Sequence, residues 1–324
     1  MTNEPAEASS GFPGADRRPL LVTGSHRSGT TWAGKMLAHS GTLGYIHEPF
    51  LPSRAPGWLS EPMPYWYMYI CADNDHLYRS ALERVVNLRF PVRASLARTR
   101  TLRQLALQIP EWVKTIDYRR RRLRPLLKDP LALFSAPWLA DVFEAQVVVM
   151  IRHPVAFVGS IKKLNWGFDY ERNWLAQELL MRDLLGHRAH EYLGYRGEVD
   201  LVGEGIVMWN SIYDVVSRFR RERPEWQFVK YEDAAKEPLA AFESLYRALE
   251  LPWTPEAADA IRNDTHAGNP KDVSRGRRRQ VRRNSRAATA TWSRRLTDDE
   301  VKRVAEETTE VAARFYEPDE LTRP

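Results

Sequence analysis

Short apolar runs bounded by turn residues recur along this chain and alternate with longer amphipathic stretches. Residues 20–23, 44–46, 126–128, 147–151 and 226–231 read as strands. Val147, Val148, Val149, Met150 and Ile151 are apolar without a break, the pattern of a strand covered on both faces. Helices are expected at 31–39, 155–163, 205–222, 238–249 and 297–315. In the third of these, Ile206, Trp209, Tyr213, Val216 and Phe219 recur every three or four residues and form one core-facing stripe. Strands alternating with helices predict an α/β fold of three layers, a mostly parallel central sheet with helices on both faces. Ligands on such sheets bind beyond the carboxyl ends of the strands.

Residues 52–125 fit this alternation worst. The stretch 62–69, PMPYWYMY, is aromatic and punctuated by proline. It serves either as a wall of a binding pocket or as ordinary core, and periodicity does not separate the two. Residues 1–18 carry no apolar period and are expected as a mobile tail. The remainder, 19–324, is expected as one domain in which 52–125 is a helical and aromatic insertion forming part of an acceptor site.

Composition narrows the class. At 324 residues and 43% hydrophobic content the chain buries a sizeable core. No stretch approaches the roughly 18 apolar residues that span a bilayer, and the amino terminus lacks the apolar segment of a signal peptide. A single cysteine, Cys71, excludes an internal disulfide and fits a reducing compartment, so a soluble, cytoplasmic protein is expected. The net charge of +6 is unevenly placed: it gathers in residues 119–124 and in 274–286, SRGRRRQVRRNSR, which holds seven arginines and no acid. Such runs are either solvated faces or a site for an anionic ligand.

The chemistry-bearing segment is GSHRSGTT, residues 24–31, between the first strand and the first helix. Glycines let backbone amides approach an anion there, and a helix start favours negative charge. A nucleoside triphosphate loop reads GxxxxGK[ST]; here Gly24 and Gly29 keep the frame, Thr30 stands where the lysine belongs, and the cation has moved to Arg27. The strand 147–151 runs into Arg152 and not into an acid that would hold magnesium. The loop is therefore expected to hold a phosphate-bearing donor without a metal ion. A second clamp follows: Arg152 ends the buried strand, Pro154 opens the next helix, and Ser160 lies about two turns on.

Together these segments resemble the sulfotransferases that use 3′-phosphoadenosine 5′-phosphosulfate. The family's RSGTTW loop is matched by residues 27–32, its arginine and serine eight apart by Arg152 and Ser160, and its YED element by Tyr231, Glu232 and Asp233. The three occur in family order across residues 20–250. The resemblance implies that Ser25, His26, Arg27, Ser28, Gly29, Thr30, Thr31 and Trp32 surround the 5′-phosphosulfate. It places Arg152 and Ser160 on the 3′-phosphate, with Tyr231 alongside. The family's closing loop matches residues 282–292 loosely, because its glycines are missing; Arg283 and Ser285 are the residues assigned there.

Sulfuryl transfer needs an aligned acceptor, a base and cations for the leaving phosphate. Arg27, Thr30, Thr31 and the loop amides are expected on the leaving group. Carbohydrate and protein-tyrosine sulfotransferases resemble the chain in placing a glutamate after the second strand, which makes Glu48 the expected base; an exposed turn residue is the plainer alternative. His47 is its nearest rival, and His26 is expected as a donor contact. Lys128, ending another strand, is expected on the transferring sulfuryl group or else as a helix cap. The acceptor is expected to be a hydroxyl or amine of a small molecule or glycan. Two other classes stay open: a metal-dependent kinase, and a nucleic-acid or polyanion binder, which would explain the arginine runs alone.

Overall fold

The computed structural model describes residues 17–52, 57–59, 62–99, 101–194, 200–270, 282, 284–289 and 294–321. Five strands, β1 (Leu20–Gly24), β2 (Leu43–His47), β3 (Arg124–Lys128), β4 (Gln146–Ile151) and β5 (Gln227–Lys230), form one sheet in the order β2-β3-β1-β4-β5. Every neighbouring pair is parallel, with Leu20 level with Leu126 on one side and Gln146 on the other. The α/β expectation holds, and the described sheet is wholly parallel. β1 sits at its centre, where the strand order reverses, and its carboxyl end opens the crevice that such sheets use for ligands.

The unbroken run in β4 is divided by its pleat. Val147, Val149 and Ile151 enter one apolar layer, Val148 and Met150 the other. The second layer is completed by α1 (Thr30–Ala38) and by helices that follow β5. The first takes in the 201–222 stripe: Ile206, Trp209, Tyr213, Val216 and Phe219 are all buried in it.

Between β2 and β3 lie helices at Arg79–Val86, Val92–Ala97 and α2 (Leu102–Arg120). The inserted stretch ends earlier than 125, because Arg124 and Pro125 already pair with β2. Beyond β4 come α3 (Pro154–Leu164), α4 (Leu201–Glu222), α5 (Tyr231–Lys236), α6 (Pro238–Ala248) and α7 (Asp298–Ala312). Tyr231 opens α5 where a strand end was expected. α4 starts four residues earlier than the expected 205, because the Asp200 carboxylate accepts the Gly203 amide and caps it. α7 begins on a capping box in which the Thr297 hydroxyl accepts the Glu300 amide and the Glu300 carboxylate accepts the Thr297 amide. Among the described residues no helix is long and apolar enough to cross a membrane.

Candidate active site

The loop between β1 and α1 admits little besides glycine at its two ends. A Cβ on Gly24, whose φ is 139°, would stand 2.3 Å from the Met150 carbonyl oxygen of β4. One on Gly29, φ 95°, would stand 2.4 Å from Cδ2 of Tyr231. Between them Arg27 takes a left-handed φ of 67°, a conformation that costs a side-chain-bearing residue energy and is retained where surrounding contacts impose it.

Those contacts come from distant elements. The Ser28 hydroxyl donates to the Ser25 carbonyl at 2.6 Å, closing the turn. The Ser25 hydroxyl meets the Tyr213 hydroxyl of α4 at 2.9 Å, and the same phenol oxygen accepts the Arg152 amide at 2.7 Å. One tyrosine thus ties the β1 loop to the end of β4. Arg27 extends outward, and its Nε donates to the Ser160 hydroxyl of α3 at 2.9 Å. The arginine of the first motif and the serine of the second are brought into direct contact.

Arg152 is buried. Its guanidinium lies 3.9 Å from the centre of the Tyr231 ring, and its Nε stands 3.3 Å from the Glu232 carboxylate. Glu232 also accepts the Tyr316 hydroxyl at 3.2 Å and the His153 amide at 3.3 Å. A buried cation is tolerable when opposite charge faces it; here the Glu232 carboxylate supplies that charge and the Tyr231 ring a face to lie on, while Nε has no hydrogen-bond partner among the described residues. Burial lowers the His153 imidazole to about 3, with its Nε2 facing the Glu320 carbonyl at 3.0 Å.

Besides Ser25 and Ser28, three residues expected on the donor have their side chains engaged elsewhere. His26 is turned into a box of Trp66, Tyr67, Phe157 and Trp166. Its amide donates to the Tyr67 hydroxyl at 2.9 Å, and that hydroxyl meets Nδ1 at 2.7 Å. Burial, and then the charge of Arg27, lower its imidazole to about 3, so it stays neutral and is a poor base. Trp32 is buried against Tyr231 and Phe242 in the core. The Ser285 hydroxyl donates to the Ala235 carbonyl at 2.9 Å and anchors its helix to α5. His26 and Trp32 adjoin the loop in sequence, and packing turned their side chains into its scaffold; Ser285 was assigned by the resemblance alone, and its hydroxyl holds a helix contact. Arg283 lies outside the described residues.

Thr30 and Thr31 are the first residues of α1, where amides have no carbonyl partner within the helix and the dipole attracts an anion.

A second group sits at the ends of β2 and β3, beside the loop. The ammonium of Lys128, fully buried, is paired with the Glu48 carboxylate, which keeps about a fifth of its side-chain surface open. The Glu48 amide donates to the Lys128 carbonyl at 2.8 Å, and Glu48 adopts a left-handed φ of 46°. His47 stands 3.7 Å from the other carboxylate oxygen. The stem of Lys128 crosses α1 at Gly34, where an added Cβ would come within 3.0 Å of its Cγ. Asp129, also buried, accepts the Phe50 amide at 2.6 Å and the Leu131 amide at 2.9 Å, and so holds the turn that follows Glu48. Burial, and then the charge of Glu48, push its carboxyl up to about 7.

Sequence reasoning missed Asp129, Tyr67, Gly34 and the polar end of Tyr213. The aromatic stretch 62–69 carried a signal for Tyr67, because it was one of two readings there. Tyr213 sat in a core stripe, and a periodicity of apolar positions says nothing about where a phenol oxygen ends. Among the described residues no group of three His, Cys, Asp or Glu is placed to hold a metal ion.

A family model described as the sulfotransferase family matches residues 19–255. No curated protein matches the chain. Among solved structures, the sulfotransferase domain of the Synechococcus olefin synthase is 15% identical over 94% of this chain and 98% of its own, with a TM-score of 0.46. The sulfotransferase domain from the curacin biosynthetic pathway is 17% identical over 91% and 99%, TM-score 0.44. A mouse sulfotransferase complexed with PAP is 11% identical over 95% and 89%, TM-score 0.44.

Proposed function

The chain belongs to the sulfotransferase family, and on that premise we propose that it moves a sulfuryl group from 3′-phosphoadenosine 5′-phosphosulfate to a hydroxyl or amine, with Glu48 as the base. The observation that carries this reading is the bond from Arg27 to Ser160. It joins the loop that suits a 5′-phosphosulfate to the serine of α3 that suits a 3′-phosphate, so one nucleotide with phosphates at both positions bridges them.

The residues present fit that donor. The glycines at 24 and 29 keep side chains out of the loop, and Arg27 with the amides of Thr30 and Thr31 neutralises charge gathering on the leaving phosphate oxygen. Ser160 accepts from Arg27, which leaves its own hydrogen for the 3′-phosphate beside Arg152. Tyr231 supports both ends, under Gly29 and beneath Arg152.

On the acceptor side Glu48 takes the proton of the attacking group, and Lys128, between that carboxylate and α1, stabilises the sulfuryl oxygens in transit. A carboxylate base suits a sugar hydroxyl or a glycoconjugate, and this is the acceptor class we propose. Calorimetry with adenosine 3′,5′-bisphosphate tests the donor reading: micromolar binding is expected, lost in Arg27→Ala. Tighter binding of ATP with magnesium would overturn it in favour of a kinase.

A further inference from the structure

The helix α2 packs one mixed face on the molecule and leaves an aliphatic face uncovered. Gln108, Trp112, Thr115 and Tyr118, three or four residues apart, point inward. Trp112 packs on Phe90, Tyr118 on Gly44, and Gln108 accepts the Ser95 hydroxyl of the neighbouring helix. On the opposite side Leu102, Ile109, Val113 and Ile116 line up with the spacing of a second stripe. They are 86, 48, 60 and 59% exposed. The neighbouring helix Val92–Ala97 adds Val92 and Leu96, four apart and also exposed. Large aliphatic side chains in a continuous row on one helix are not the scattered exposure of an ordinary surface.

The charge around the row indicates what covers it. Residues 89–122 carry ten lysines and arginines against two acids, Glu111 and Asp117. Both acids already have a cation near them, Lys114 at 3.5 Å from Glu111 and Arg121 at 3.5 Å from Asp117. Arg89, Arg93, Arg119, Arg120 and Arg122 are exposed around them. A second copy of the chain would bring two such basic faces together and pay their repulsion. An anionic bilayer supplies the opposite charge and an apolar layer for the aliphatic row, the pairing that basic amphipathic helices use.

We infer that the outward face of α2 docks on the surface of an anionic lipid bilayer, with the aliphatic row entering the acyl boundary and the surrounding arginines on the headgroups. The face lies outside the donor and acceptor residues, so docking and donor binding are separable.

The test is co-sedimentation of the full chain with vesicles of equimolar phosphatidylglycerol and phosphatidylcholine, compared with vesicles of phosphatidylcholine alone. Binding to the anionic vesicles is expected to be about tenfold tighter or more, and to fall as salt rises. A Val113→Glu, Ile116→Glu double variant is expected to lose about tenfold in vesicle affinity. Both positions are exposed, so its circular dichroism and its affinity for adenosine 3′,5′-bisphosphate stay unchanged. Equal affinity for the two vesicle types, or an unchanged affinity in the double variant, overturns the proposal. So does a dimer in light scattering that the double variant abolishes, which would assign the row to a second copy.

Discussion

The two halves of the sheet's carboxyl edge are built differently. On the β4 side, where we place the donor, charge is buried and balanced inside the protein: Arg152 against Glu232, with Tyr231, Tyr316 and Tyr213 closing the remaining contacts. On the β2 and β3 side, where we place the acceptor, a fully buried ammonium meets a carboxylate that still reaches solvent. A donor that is the same at each turnover favours a site assembled in advance. An acceptor whose proton must leave favours a carboxylate with a way out. The donor half couples stability to binding, whereas the acceptor half couples a local turn to catalysis.

Arg152→Ala should break this division most severely. It leaves Glu232 buried without its cation, a loss of about 3–5 kcal/mol in urea unfolding, together with loss of calorimetric binding of adenosine 3′,5′-bisphosphate. Arg152→Met combined with Glu232→Leu should recover much of the stability and none of the binding, which separates the two roles. On the other half, Glu48→Gln should lower kcat by about a hundredfold to ten-thousandfold while donor affinity stays within about twofold. Equal losses in kcat and donor affinity would erase the distinction between the halves.

Smaller effects sharpen the same contrast. Gly29→Ala should cost about 1–3 kcal/mol, because its Cβ meets Tyr231 at a left-handed φ. Gly41→Ala shares the positive φ but meets nothing within 4 Å, so only the backbone strain, about 1 kcal/mol, should appear in its unfolding curve. The last prediction concerns pH. The Asp129 carboxyl is raised from its ordinary 3.8 to about 7, so the folded protein binds that proton more tightly than the unfolded chain. Its contribution to stability is complete below about pH 4, declines as the pH rises toward 7, and stays flat above. Asp129→Asn should remove that slope from melting temperatures measured between pH 4 and 8, while loosening the turn at Phe50 should lower kcat more than donor affinity.

Much of the frame was legible before any fold was known. All five strands and the five expected helices appear within a few residues of where apolar spacing put them, because burial on one or two faces writes itself directly into that spacing. The boundary at Arg124 was missed because a strand opening on Arg-Pro has no apolar signal, and the Arg124 guanidinium is satisfied by the carbonyls of Arg18 and Leu249. The candidate site was legible as residue types: glycines at 24 and 29, a displaced cation at 27, arginine and serine eight apart. The direction of each side chain was not. His26 and Trp32 belong to the same short motif as Arg27, and Ser285 to the arginine-rich stretch near the end of the chain, yet an aromatic box, an apolar layer and a helix contact claim them.

The sequence by itself determined the alternation of strands and helices, the glycine-framed turn and the order of the phosphate motifs, because each is specified by residues adjacent in the chain. Only the tertiary structure decided the pairings. Arg27 finds Ser160 across 133 residues, Ser25 finds Tyr213 across 188, and Glu48 finds Lys128 across 80. Those contacts depend on the strand order β2-β3-β1-β4-β5, which brings four strand ends to one edge. Burial then makes them binding, since a polar group withdrawn from water must find a partner wherever the fold has put one.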